Sequence, residues 1–270
     1  MAELGFVGAG NMATALCRGI LGAGLIPGSE VIASDPEEDR RAAFERVTGA
    51  RTTPANKDAC GAPTVILAVK PQVMPAVLAE VGPVLTADQL VISIAAGIPI
   101  ARIEAACAEP ARVVRAMPNT PMLVGEGAAA LCGGTHATDA DRARACELLG
   151  ACGLVLEVSD EEQIHAVTAL SGSGPAYVFL LAELMARAGE ELGLERDDAL
   201  VLANQTVLGA GRMLVESGEP AEELRRRVTS PGGTTEAALR SMAEDGVLES
   251  IVRAIHRAGR RSRELADGVE

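Results

Sequence analysis

The sequence predicts an α/β half, built on a doubly wound parallel sheet, followed by an all-helical half. Three observations carry this. Short apolar runs alternate with amphipathic segments up to about residue 158, a glycine-rich turn follows the first run, and from about Ser159 onward β-like runs stop. Such alternation builds parallel β-α-β units, because each crossover needs a helix to bring the chain back. The predicted domains are therefore 1–158 and 159–270.

LGFVG (4–8), VIAS (31–34), VILAV (65–69), LVISIAA (90–96), RVVRAM (112–117) and GLVLEV (153–158) read as strands. DPEEDRRAAFERV (35–47) and DADRARACELLG (139–150), between them, read as helices with charged faces. In the second half, AYVFLLAELMA (Ala176–Ala186) carries one charge, Glu183, in eleven positions. A helix apolar nearly all round must be covered on several sides, and a domain of about 110 residues has little material for it. A subunit interface is the natural remedy; the centre of a monomeric bundle is the alternative.

A net charge of −13, no Trp and one Tyr exclude nucleic acid and anionic membrane as default partners, since phosphate would be repelled and bases have nothing to stack on. An anionic ligand must be held by local groups. Cations are 22 Arg and two Lys, Lys57 and Lys70, both in the first third. Six cysteines (17, 60, 107, 132, 146 and 152) form no CxxC pair and lie near no His cluster, so no metal site is expected and each reads as a small buried hydrophobe in a reduced compartment. MAELGFVGAG lacks a signal-peptide pattern and Ala176–Ala186 is too short to span a bilayer, so a soluble cytoplasmic protein with no membrane partner is expected.

GFVGAGNMATAL places Gly8, Gly10 and Ala13 in GxGxxG/A spacing, directly after a strand and opening a helix. Gly8 allows the tight turn, Gly10 lets the backbone approach a pyrophosphate, and small Ala13 lets helix and strand pack closely. Asp35, about 25 residues after Gly10 at the end of the second strand, completes a Rossmann-type dinucleotide site in residues 1–158. Asp35 favours NADH by accepting from the ribose 2′-hydroxyl; Ser34 with Arg40 or Arg41 favours NADPH by holding a 2′-phosphate. The cofactor is NADPH or NADH, and the residues leave the choice open. AVKP (Ala68–Pro71) and AAG (Ala95–Gly97) end strands that border the ligand crevice of such a sheet. Lys70 is thus a candidate for the reaction edge, the alternative being a solvated lysine beside a strand-ending proline.

SPGGTT (Ser230–Thr235) and SGSGPAY (Ser171–Tyr177) each combine hydroxyls and glycines with a predicted helix start, Pro175 falling in the first turn of the second. Helix starts carry N–H groups without intrahelical partners and attract anions. Together they explain how an acidic protein holds a carboxylate without a nearby Lys; two ordinary capped helix starts are the plainer reading.

GAGNMATAL, AVKP, SIAAG, RAMPNTP, SGSGPAYVF and TSPGGTTEAAL, in this order over essentially the whole chain, closely resemble pyrroline-5-carboxylate reductase. RAMPNTP with SGSGPAY and SPGGTT is specific as a set. The resemblance implies a Rossmann domain followed by a helical dimerisation domain, active sites at the subunit interface, and a homodimer that assembles further, a decamer being one such assembly. It makes Val7, Gly8, Ala9, Gly10, Asn11 and Met12 the pyrophosphate loop and places the adenosine ribose near Ser34 and Asp35. It matches Asn56 to a cofactor-contacting Asn, and Ala68, Val69, Lys70, Pro71, Ala95 and Ala96 to nicotinamide-side loops. Glu161, Thr234 and Thr235 match positions lining the proline or pyrroline site. Asp35 replaces a smaller hydroxyl residue of some members, and His165 stands where many carry Asp; a packed or capping role is expected for it.

The implied chemistry is hydride transfer to the imine carbon of 1-pyrroline-5-carboxylate, giving L-proline. An imine protonates readily, so orientation and carboxylate binding suffice. Gly232, Gly233 and Thr234 N–H groups would hold the carboxylate, the Thr235 hydroxyl the ring nitrogen, and Ser173 would assist; Thr235 and Lys70 are the candidate catalytic residues. A β-hydroxyacid dehydrogenase or ketopantoate-type reductase is disfavoured, since those use a lysine on a helix of the second domain and none follows Lys70. A nucleotide-sensing module without turnover would have no use for SGSGPAY and SPGGTT. The Arg-rich RAIHRAGRRSREL reads as a solvated or salt-bridged helix face.

Overall fold

The computed structural model describes residues 2–268. Its sheet contains β1 (Leu4–Val7), β2 (Val31–Ser34), β3 (Arg51–Thr53), β4 (Thr64–Leu67), β5 (Leu90–Ser93), β6 (Arg112–Met117), β7 (Gly127–Gly133) and β8 (Gly153–Glu157). The order is β3-β2-β1-β4-β5-β6-β7-β8. The helices are α1 (Asn11–Gly22), α2 (Glu38–Thr48), α3 (Asn56–Ala59), α4 (Met74–Val81), α5 (Ile100–Ala106), α6 (Asp139–Gly150), α7 (Gln163–Val167), α8 (Gly174–Glu191), α9 (Arg196–Glu216), α10 (Ala221–Arg227), α11 (Thr234–Glu244) and α12 (Val247–Ala266).

The chain divides into two compact units, Met1–Ser173 with Ala258–Glu270, and Gly174–Arg257. In the first, β1, β2, β4 and β5 are buried along their whole length. This is expected of parallel strands covered on both faces. Their side chains divide with period two: Leu4, Phe6, Ile66 and Ile92 join one apolar cluster, and Val7, Val65, Leu67 and Val91 the other. Gly5 has its own reason. A Cβ there would lie 1.9 Å from the Ala59 carbonyl oxygen, so α3 rests directly on the β1 backbone.

Two expectations about the sheet need correction. It has two strands beyond the six predicted, β3 and β7, and β7 runs antiparallel to β6. β3 is three residues long with Arg51 exposed, and β7 is the run GAAALCG, whose Gly and Ala carry little β propensity. Their pairing comes from neighbours. α6, by contrast, starts where its sequence says, with a reciprocal capping box between Thr138 and Asp141.

In the second unit α8 and α9 pack along each other. Ala186, Ala199 and Ala203 are buried, while Val178, Phe179, Leu180, Leu181 and Val201 are exposed. α8 is therefore not the covered centre of a monomeric bundle. Ala176–Ala186 also belongs to a continuous helical run, 163–191, which by length and composition alone is long enough to cross a membrane; the eleven-residue stretch understated the helix.

Candidate functional site

β1 lies between β2 and β4, the switch point at which ligands of such sheets bind beyond the strand ends. Gly8, leaving β1, has φ +103°, and its N–H donates to the Ser34 carbonyl at 2.8 Å. A Cβ on Gly8 would meet the Ala68 carbonyl oxygen at 2.8 Å and Val69 Cγ1 at 3.0 Å. Both conformation and space therefore demand glycine. Gly10 differs: a Cβ there would meet nothing within 4 Å, so the backbone faces open space. It is the N-cap of α1, without a side-chain cap and with no acidic residue in the first turn. The first N–H groups of α1 are open to an anion and Ala13 is buried, so these residues fit a dinucleotide pyrophosphate.

At the end of β2, Asp35 is 4% exposed; Oδ2 accepts from Ala9 N–H at 3.1 Å and Oδ1 from Glu37 N–H at 3.0 Å. Ser34 is fully buried, its hydroxyl donating to Asn56 Oδ1 at 2.9 Å. Asn56 Nδ2 donates in turn to Glu80 Oε2 at 2.8 Å. Arg40 lies 3.0 Å from Glu37 and 3.8 Å from Asp35, and Arg41 donates to the carbonyls of Asp35 and Pro36. Glu80, on α4, was invisible in the sequence reading: it stands 24 residues from Asn56 in no motif.

Lys70 is exposed at the turn that ends in Val73, and Pro71 opens that turn. After β5, Ala95 is buried and Ala96 half-buried; Gly97 (φ +69°) leaves room for α12, since a Cβ there would lie 3.2 Å from Leu265 Cβ. Behind this loop runs a polar layer the sequence did not announce. Arg115, on β6 and 1% exposed, donates from Nη1 to Glu161 Oε1 at 2.6 Å, and the same oxygen accepts from Ile100 N–H at 2.8 Å. Arg115 Nε and Nη2 find no hydrogen-bond partner among the described residues. His165, buried on α7, bonds Ser262 Oγ through Nδ1 at 2.8 Å. Burial first, then the Arg115 charge, pushes its pKa below the ordinary 6.5, partly opposed by Glu162. A packed histidine is what the sequence suggested.

In the second unit, Gly232 (φ +71°) and Gly233, the N-cap of α11, form the turn before Thr234 and Thr235. Both glycine N–H groups are engaged: Gly232 donates to Glu236 Oε2 at 2.7 Å and Gly233 to the Ser230 carbonyl at 3.0 Å. A carboxylate of the chain itself thus sits on one of the N–H groups that sequence reasoning assigned to a ligand. SGSGPAY holds a helix start, α8 from Gly174 with Pro175 in its first turn, as expected, but that start follows directly on a π-helical turn, Thr168–Gly172. The Ser173 N–H donates to the Thr168 carbonyl at 2.8 Å. The wider turn carries the helix past the glycines, so the N–H groups there are not all free.

Residues 161–265 match the family model described as pyrroline-5-carboxylate reductase dimerisation, and residues 3–97 the one described as NADP oxidoreductase coenzyme F420-dependent. A pyrroline-5-carboxylate reductase of Pseudomonas aeruginosa is 46% identical over 98% of this chain and 97% of its own. The chain belongs to the pyrroline-5-carboxylate reductase family. The solved reductase of Coxiella burnetii superposes with a TM-score of 0.89 at 38% identity, covering 98% of both chains. That of Plasmodium falciparum, solved with NADP bound, gives 0.87 at 30% identity, again over 98% of both. As in this reductase family, a Rossmann-type N-terminal domain is followed by helices, and the chain is an oxidoreductase.

Proposed function

We propose that this chain reduces 1-pyrroline-5-carboxylate to L-proline with NADPH or NADH, the last step of proline biosynthesis. The observation that carries the reading is likeness over the full length to enzymes of that name, joined to a glycine turn at Gly8 that tolerates no side chain. Dinucleotide binding is assigned to 1–158, and substrate binding with dimerisation to 159–270. A second copy of the chain would cover exposed apolar residues such as Phe179 and Val201, and dimers assemble further, to a decamer in the fullest form. The cytoplasm is the proposed location.

Val7 to Met12 hold the pyrophosphate, with Ser34, Asp35 and Asn56 at the ribose end. Ala68 to Pro71, Ala95 and Ala96 flank the nicotinamide, whose chemistry is to supply a hydride. Lys70 stands at that edge. The Thr235 hydroxyl orients the ring nitrogen, which already carries the proton, so that the C=N electron pair moves onto nitrogen as the carbon is reduced. Thr234, with Gly232 and Gly233, holds the substrate carboxylate, Gly232 exchanging Glu236 and Gly233 the Ser230 carbonyl for it; Glu161 and Ser173 are the remaining substrate-binding assignments. Thr235→Ala tests the central contact: kcat/KM for the imine should fall at least about tenfold with cofactor affinity unchanged. Wild-type activity at all imine concentrations would remove Thr235 from the role.

A further inference from the structure

At the ribose end of the cofactor crevice stand the carboxylates Asp35, Glu37 and Glu80, and Ser34, Asn56, Arg40 and Arg41 beside them already have partners. Asp35 is locked in place by two backbone N–H groups, so it cannot turn away from an incoming ribose. Ser34, the hydroxyl that would greet a 2′-phosphate, is fully buried and committed to Asn56. Asn56 is committed to Glu80, which adds a second negative charge. Arg40 is spent on Glu37 and Asp35, and Arg41 on two carbonyls of its own turn.

Resting on the cofactor reading above, we infer that this chain selects NADH over NADPH, and that Glu80 is a specificity-determining residue acting with Asp35. A 2′-phosphate brings close to two negative charges and needs paired donors. Here it meets Asp35 and Glu80 and finds the two arginines partnered. A ribose 2′-hydroxyl needs one acceptor, which Asp35 supplies.

The experiment is a titration of wild type, Glu80→Gln and Asp35→Asn with NADH and with NADPH, reading dissociation constants by nicotinamide fluorescence at low and high salt, beside kcat/KM for each cofactor. The Gln amide oxygen can still accept from Asn56 Nδ2, so Glu80→Gln removes charge and keeps the arrangement. NADH should bind wild type at least about tenfold tighter, high salt should narrow the gap, and Glu80→Gln should shrink the ratio about threefold. A merely structural Glu80 would shift both cofactors alike and show no salt dependence. NADPH binding as tightly as NADH to wild type, or a ratio unmoved in both variants, would overturn the inference. A wild-type preference for NADPH that disappears in Lys57→Ala would do so too, moving the phosphate to that lysine. Binding of neither cofactor would remove the cofactor reading itself, whereas tighter NADPH removes only the selectivity.

Discussion

Glu161→Ala should destabilise the first compact unit through a charge it does not itself bury. Among the described residues, Glu161 Oε1 is the acceptor that takes Arg115, at 2.6 Å, and it also takes the Ile100 N–H that opens α5, at 2.8 Å. Arg115 is 1% exposed, and two of its nitrogens have no hydrogen-bond partner among the described residues. Stripping a buried charge of its partner costs about 3–5 kcal/mol. The Glu161 side chain is 32% exposed, so water can replace part of what it supplies, and about 2–3 kcal/mol is the expected loss. At roughly 2–4 °C per kcal/mol for a unit of this size, Tm should fall by about 5–10 °C. Arg115→Met with Glu161→Ala should recover at least half of it, because an apolar side chain leaves nothing unpaired. Thermal unfolding of the two variants decides the matter. A loss below about 0.5 kcal/mol in the single variant, or a double variant no better than the single, would refute the reasoning; KM for the imine, measured well below Tm, isolates any contact of Glu161 with substrate.

Gly8→Ala should fail to fold or to bind cofactor, since a Cβ at φ +103° would sit 2.8 Å from the Ala68 oxygen; Gly10→Ala, with open space around its Cβ, should keep the wild-type Tm and lose at least about tenfold in cofactor affinity, as calorimetry and fluorescence titration would report. His165 keeps its folded pKa below 6.5, so the unfolded chain takes up a proton that the native state refuses. Its contribution is therefore complete above pH 6.5 and is lost as pH falls toward the folded pKa. Urea unfolding at pH 7.5 and 5.5 should show this loss in wild type and a smaller one in His165→Asn. Glu236→Gln weakens the internal competitor on Gly232 N–H and should lower KM for the imine by about two- to threefold; a raised KM would mean that Glu236 holds the turn rather than the ligand's place.

The six strands legible in the sequence are those whose apolar run is written locally. β1, β2, β4 and β5 are buried along their whole length and are built of Val, Ile, Leu, Phe and small residues. β3 and β7 were not legible, because RTT and GAAALCG become strands only through their neighbours, and no local pattern tells that β7 runs backwards. The glycine turn could be read because its tight backbone conformation, φ +103° at Gly8, is a local demand that glycine meets. The surroundings of that turn could not. Ser34 looks available in sequence, yet β2 is covered on both faces and buries it; Glu80 reaches Asn56 from another helix; and Arg115 meets Glu161 across 46 residues. At SPGGTT the motif revealed N–H donors but not that Glu236 and Ser230 already accept from two of them. Likewise SGSGPAY has the composition of a helix start, which α8 is, but nothing in it tells that a π turn precedes that start and takes the Ser173 N–H.

The most direct test is to mix the purified protein with 1-pyrroline-5-carboxylate and NADH, and separately NADPH, following loss of reduced-nicotinamide absorbance against a control lacking the imine while assaying proline. One proline should form for each reduced cofactor consumed, faster with NADH at low concentration. Cofactor that binds but is not oxidised by this imine would contradict the proposed function.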